Sequence, residues 1–275
     1  MALNAADQAG NSKPAHLQIL VVDDDELNRR MMRILLMRDG HDVEVAANGV
    51  EALEAVKHRR YDIVFMDLQM PIMGGIEASR RIREWENGDG HTYIVALTAS
   101  YMPENGPVLF EAGIDNYVSK PFEVEHIQHL LSLIVQPEGI TPNLPAAPAG
   151  EMPSEIPVLN IQKGTEGVGG DLETYRELLS DFIQELPERI RSLQELFQAR
   201  KMMALAHAAH NLKGVSANLG ALQLSDYANK LDKQSNEGYT DLNQALLLDL
   251  KRAEMDLQKT AADFLTKKER TVPSA

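Results

Sequence analysis

The sequence predicts two folds in tandem: an α/β domain with a doubly wound, five-stranded parallel sheet, followed by an all-α four-helix bundle. Three observations carry this. Over residues 17–136, short apolar runs alternate strictly with amphipathic helical stretches, as in a parallel sheet covered by helices on both faces. Over residues 157–268 the pattern is helical throughout. Between them lies a linker, 137–156, in a stretch from Pro137 to Pro157 that holds six of the thirteen prolines; such a stretch offers few donors and little apolar surface and favours extended backbone.

The first half contains five strand-like runs, at 18–23, 42–46, 62–67, 93–98 and 115–119. Helical patterns fill the gaps near 26–38, 49–59, 75–86 and 104–112, and a fifth follows at 123–135. The first, third and fourth runs are continuously apolar, as strands buried on both faces should be. In the second half, helical patterns cover about 171–199, 201–219, 221–236 and 240–267. The first of these repeats Leu172, Tyr175, Leu178, Leu179, Phe182, Ile183 and Leu186 at helical spacing, and Pro187 should bend it. Four amphipathic helices with short connections imply an antiparallel bundle. Residues 1–16 read as a disordered arm and 269–275 as a tail.

Charge and composition exclude several function classes. The net charge is −14. Residues 1–136 hold 12 basic and 21 acidic side chains, and the remainder 15 and 20, so the halves carry −9 and −5. Neither half has the basic stripe of a nucleic-acid binder. The chain has no cysteine, which excludes disulfides and thiolate metal centres. No apolar run is long enough for a membrane span, and the first residues lack the pattern of a signal peptide, so a cytoplasmic location is expected.

Open α/β sheets bind ligands outside the carboxyl ends of their strands. Asp23, Asp24 and Asp25 follow the first strand, Asp67 ends the third, Thr98 ends the fourth, and Lys120 follows the fifth. Clustered carboxylates repel one another unless a cation sits among them, and hard oxygen ligands with room for water suit Mg²⁺. Asp67, alone at a central strand end, suits a nucleophile. Lys120 and Thr98 suit donors to an anionic group. Asp25 is placed to cap the following helix.

The segments ILVVDDDELNRR, FMDLQMPIMGG, IVALTAS and YVSKPF resemble the signatures of response-regulator receiver domains over residues 17–136. The resemblance implies the flavodoxin-like strand order and makes Asp67 the phosphoacceptor. It makes Asp23 and Asp24 the acidic pair, with Asp24, Asp67 and the main-chain carbonyl of Gln69 around Mg²⁺. Thr98 and Lys120 then contact the phosphoryl group, Thr98 and Tyr117 form the switch, and the Lys120–Pro121 bond is cis. Gln69 and Ser100 occupy positions that tune dephosphorylation in this family. Gly74-Gly75 departs from the commoner Asp-Gly, though the glycine that permits the turn is kept. Asp23-x-Asp25 followed by Thr98 and Lys120 also mimics haloacid-dehalogenase-like phosphatases, but those need an acidic pair after a further strand beyond the lysine, and they leave Asp67 without a role.

In the second half, His210, Lys213, Gly214 and Ala217 share one helix face. A glycine inside a helix costs ~1 kcal/mol relative to alanine. Here glycine and alanine leave a shallow spot through which another protein can approach an exposed imidazole, with Lys213 near enough to steady a phosphoryl group. His207, His126 and His129 read as ordinary surface or core histidines. The run HNLKGVSANLG resembles the motif of histidine phosphotransfer domains, over about 157–268. That resemblance makes His210 the phosphorylated histidine, Lys213 and Gly214 its supports, and Gly214 and Ala217 part of a docking face.

The combined expectation is a two-component phosphorelay protein that takes phosphate on Asp67 and carries it on His210. Its expected partners are a sensor histidine kinase and an upstream or downstream receiver. None of the ATP-binding boxes of such a kinase is present in this sequence. A regulatory scaffold and a phosphate sink are the alternatives.

Overall fold

The computed structural model describes residues 16–88, 90–98, 106–135, 156–238 and 241–266. Residues 1–15 of the arm, 137–155 of the linker, Ser100, the start of the fourth helical pattern at 104–105 and the tail lie outside the described residues.

The first half runs β1 (Gln18–Val22), α1 (Glu26–Arg38), β2 (Asp42–Ala46), α2 (Gly49–His58), β3 (Ile63–Asp67), α3 (Gly75–Glu86), β4 (Tyr93–Thr98), α4 (Gly106–Glu111), β5 (Asn116–Ser119) and α5 (Val124–Val135). The strands are parallel in the order β2-β1-β3-β4-β5. Because side chains alternate along a strand, β1 sends Ile19 and Val21 to one face and Leu20 and Val22 to the other. Met32, Leu35 and Leu36 of α1 and Ile127, Leu130 and Leu131 of α5 cover the first face. Ala52 and Val56 of α2, Ala78 and Ile82 of α3 and Leu109 of α4 cover the second. Both faces are therefore dry, which is why β1, β3 and β4 can be apolar throughout.

The second half adds α6 (Ile161–Glu166), α7 (Leu172–Gln198), α8 (Met202–Asn218), α9 (Leu222–Glu237) and α10 (Asp241–Thr266). The long helices α7 to α10 close a ring, with α8 packed on α7 and α9, and α10 on α9 and α7. Tyr175, Leu178, Phe182, Leu186, Ile190 and Leu193 of α7 form the spine of the bundle core. Helix α7 runs through Pro187 without ending. The sequence reading did not anticipate α6, a single short turn region capped by Asn160. Gly220 follows α8 at φ +75°, where an added Cβ would lie 2.1 Å from the Asn160 carbonyl oxygen, so both its conformation and its surroundings demand glycine. Among the described residues no helix is long and apolar enough to cross a membrane.

The two halves pack on each other. Helix α1 carries a second apolar stripe, Leu27 and Met31, which is buried in the core of the bundle rather than that of the sheet, with Ile34 packed beside it. Burying each of the first two contributes about 2 kcal/mol. The exposed Arg30–Asp181 ion pair on the same face contributes at most about 1 kcal/mol. Apolar contact therefore outweighs this ion pair. Polar contacts trim its edge: Arg38 donates to the Gly169 and Val168 carbonyls, at 2.6 and 3.2 Å.

Candidate functional site

The parallel register brings the carboxyl ends of β1, β3, β4 and β5 to one edge. Asp23 follows β1, Asp67 ends β3, Thr98 ends β4 and Lys120 follows β5; all four are buried. Lys120 Nζ sits between two carboxylates, 2.7 Å from Asp23 Oδ2 and 2.5 Å from Asp67 Oδ2. Burial disfavours its charge, but Asp67 and Asp23 outweigh that and raise its pKa. Asp23 is pushed up to about 7, chiefly by burial and further by Asp67, against the pull of Lys120. Its Oδ1 accepts from the Asp25 main-chain N–H at 2.9 Å.

The chain around Asp67 is shaped by glycine. A Cβ at Gly75 would lie 2.2 Å from the Asp67 carbonyl oxygen, so α3 can start this close to β3 only with glycine there. Gln69 donates its main-chain N–H to Asp67 Oδ1 at 3.1 Å. Lys120–Pro121 is cis. Tyr117 is half-buried and packs against the α2–α3 side of the sheet.

Asp23, Asp24 and Asp67 offer ligand oxygens that lie within 4.8 Å of one another. Asp24 Oδ1 is buried and has no hydrogen-bond partner among the described residues. A buried carboxylate oxygen left bare is costly, and a hard cation among three carboxylates would satisfy it. The donor set therefore fits Mg²⁺.

The other oxygen of Asp24 is held by the bundle. His207 Nε2 lies 2.8 Å and Asn211 Nδ2 2.7 Å from Asp24 Oδ2. Burial opposes the Asp24 charge, yet these two bonds and the His207 charge lower its pKa; the same bond raises that of His207. Asp25 caps α1 through Leu27 and Asn28 N–H, at 3.0 and 3.2 Å, and its second oxygen pairs with Arg189 of α7. Asn218 accepts from Phe122 N–H and donates to Asn28 Oδ1, both at 3.1 Å. The bundle thus lies over the crevice through α7 and α8.

His210 is on this covered face, and here one expectation is corrected. The imidazole is not exposed: the residue is only 7% accessible. Its Nδ1 is 3.1 Å from Asp232 Oδ2 on α9. Close to it, a Cβ at Gly214 would approach Asn28 Nδ2 at 3.7 Å and Lys120 Cδ at 3.9 Å, so this glycine abuts the receiver of its own chain. Ala217 is buried. Burial lowers the Lys213 pKa, Asp232 opposes that, and the charges of Lys233 and Lys120 add to it. Sequence reasoning missed His207, Asn211, Asn218, Arg189 and Asp232. The one signal available was the second stripe of α1, Leu27, Met31 and Ile34 at i, i+4, i+7, which a helix serving a single sheet does not need.

Comparison with known proteins matches the model of the response regulator receiver domain to residues 19–132 and that of the Hpt domain to residues 177–260. The sensor histidine kinase AruS of Pseudomonas aeruginosa is 28% identical over 85% of this chain. The sensor histidine kinase GacS of Pseudomonas protegens is 30% identical over 75% of it. The chain spans 23% of the length of each of these two kinases. Among solved structures, the chemotaxis protein CheY4 of Vibrio cholerae is 32% identical, with 44% of this chain and 99% of that one covered, at a TM-score of 0.41. A response regulator receiver domain over residues 19–132 is thus followed by an Hpt domain over residues 177–260.

Proposed function

We propose that Asp67 accepts the phosphoryl group in the receiver, that His210 carries it in the bundle, and that Asp24, Asp67 and the main-chain carbonyl of Gln69 hold Mg²⁺ with Asp23 beside them. The observation that carries this is the convergence of Asp23, Asp24, Asp67, Thr98 and Lys120 on one sheet edge, with the helix of His210 packed against it. When bound, Mg²⁺ neutralises charge on the phosphoryl oxygens.

A carboxylate oxygen of Asp67 attacks phosphorus as the bond from phosphorus to the donor breaks, and the donor leaves with the electron pair. Lys120 donates to one phosphoryl oxygen and Thr98 to another. Thr98 moves toward the new charge and Tyr117 follows it inward. In transfer to the bundle, His210 donates Nδ1–H to Asp232 and attacks through the Nε2 lone pair. The bond between phosphorus and Asp67 breaks, the carboxylate is restored, and the positive charge developing on the ring falls beside Asp232. We propose a sensor kinase and a further receiver as its partners, and a cytoplasmic location.

The test is labelling with acetyl phosphate and Mg²⁺. A base-labile label that Asp67→Asn removes supports the reading, and full labelling of Asp67→Asn rejects it.

A further inference from the structure

Two bundle residues reach into the receiver crevice without a role in the relay just described. His207 and Asn211 are one turn apart on α8, so the helix itself aims both at one oxygen. His207 Nε2 and Asn211 Nδ2 both meet Asp24 Oδ2, at 2.8 and 2.7 Å, while Asp24 Oδ1 stays buried and bare. No covalent chemistry passes through either side chain, and the histidine of the motif is His210, not His207.

We infer that His207 and Asn211 are positioning residues, supplied by the Hpt bundle, that hold the receiver's Asp24 with Oδ1 presented to the metal. The inference rests on the proposed role of Asp24 as a metal-holding carboxylate. A carboxylate pinned through one oxygen by two donors has a fixed orientation, so its other oxygen occupies one place rather than several. Hydrogen bonds behind metal-ligating groups act in this way and are worth 10–100-fold in metal affinity. Donation from Nε2 needs only the neutral ring, and Asn211 donates without carrying charge. The coupling is reciprocal: if docking of the bundle orders Asp24 for the cation, the cation strengthens docking by the same factor. The junction allows this, because Leu27 and Met31 lock α1 to the bundle core within a few residues of Asp24.

The experiment is a Mn²⁺ titration of the full chain followed by electron paramagnetic resonance, with Mg²⁺ as competitor. His207→Ala and Asn211→Ala should each weaken Mn²⁺ binding about 10-fold. His207→Gln, which keeps a donor, should restore most of the loss. Met31→Glu puts a charge in the apolar junction without touching Asp24, and it should reproduce the loss by separating the halves. Affinity that is unchanged or tighter in both alanine variants overturns the inference, as does a loss that glutamine fails to restore or that Met31→Glu fails to reproduce. Acetyl phosphate labelling of Asp67 in the unaltered chain tests the receiver reading separately. If that label forms and metal affinity does not move in the variants, only the assignment of His207 and Asn211 falls.

Discussion

The two proposed phosphoryl acceptors sit in unlike surroundings. Asp67 lies among Asp23, Asp24, Lys120 and Thr98, drawn from several strand ends. Among the described residues, His210 meets one charged hydrogen-bond partner, Asp232, on the neighbouring helix. The difference follows from the backbones. A parallel sheet gathers several chain segments at one edge, so it can crowd charges and hold a cation among them. A helix presents one residue per position to a face, and an imidazole there has only its flanking helices to draw on. In the proposed relay the crevice is therefore equipped to activate its own acceptor, whereas the bundle offers a nucleophile and relies on the receiver for the rest.

The sharpest break in that comparison is removal of each acceptor in turn. Asp67→Asn should abolish labelling by acetyl phosphate, and with it any label on His210 that comes through the receiver. His210→Gln should leave the base-labile label on Asp67 while removing the acid-labile, base-stable one. Label chemistry after acid and base treatment reads both outcomes. Acid-labile label persisting in His210→Gln would move the second acceptor elsewhere.

The next largest effect concerns the contact between the regions. Leu27→Ala with Met31→Ala removes side chains that are 3% and 2% exposed from the bundle core. By the usual cost of core truncation this should weaken the junction by at least about 2–5 kcal/mol. Small-angle scattering should report a more extended particle, and the two halves should melt apart rather than together. A single unchanged transition would mean that the junction contributes little.

A smaller effect is expected at Gly214. A methyl there meets Asn28 and Lys120 at ordinary contact distances of 3.7 and 3.9 Å, so Gly214→Ala should be tolerated. Gly214→Leu has no such room and should slow transfer between Asp67 and His210 at least tenfold without lowering the melting temperature of the bundle. Equal rates for the two variants would show that transfer does not use this packing.

What the sequence made legible follows the same division. The positions of Asp23, Asp67, Thr98 and Lys120 could be read because strand ends are marked by where apolar runs stop, and the sheet edge then collects them. The bundle helices could be read from their periodicity. The contacts His207–Asp24, Arg189–Asp25 and Asn218–Phe122 could not, since they join residues 183, 164 and 96 positions apart and depend on how two finished domains meet. The burial of His210 was missed because it too depends on contacts distant in sequence, among them that with Asp232, 22 positions on. Helix α6 was missed because six residues in a glycine-rich context give no usable period.

Asp232 provides the finest test of the comparison, since it is the carboxylate that meets the proposed bundle acceptor. It lies 3.1 Å from His210 Nδ1, with side-chain exposures of 9% for the histidine and 13% for the aspartate. Attack by Nε2 leaves positive charge on the ring, and a carboxylate at Nδ1 stabilises that charge more in the transition state than in the neutral ground state. Asp232→Asn keeps the shape and an acceptor oxygen but loses the negative charge. Transfer from phosphorylated Asp67 to His210 should slow about tenfold, equivalent to roughly 1.4 kcal/mol, while direct labelling of Asp67 by acetyl phosphate keeps its rate. Rapid-quench measurement of both steps in one preparation separates them. A loss of several hundredfold would show that the bundle contributes as much to the chemistry as the crevice does, and the contrast between an equipped acceptor and a passive one would have to be abandoned.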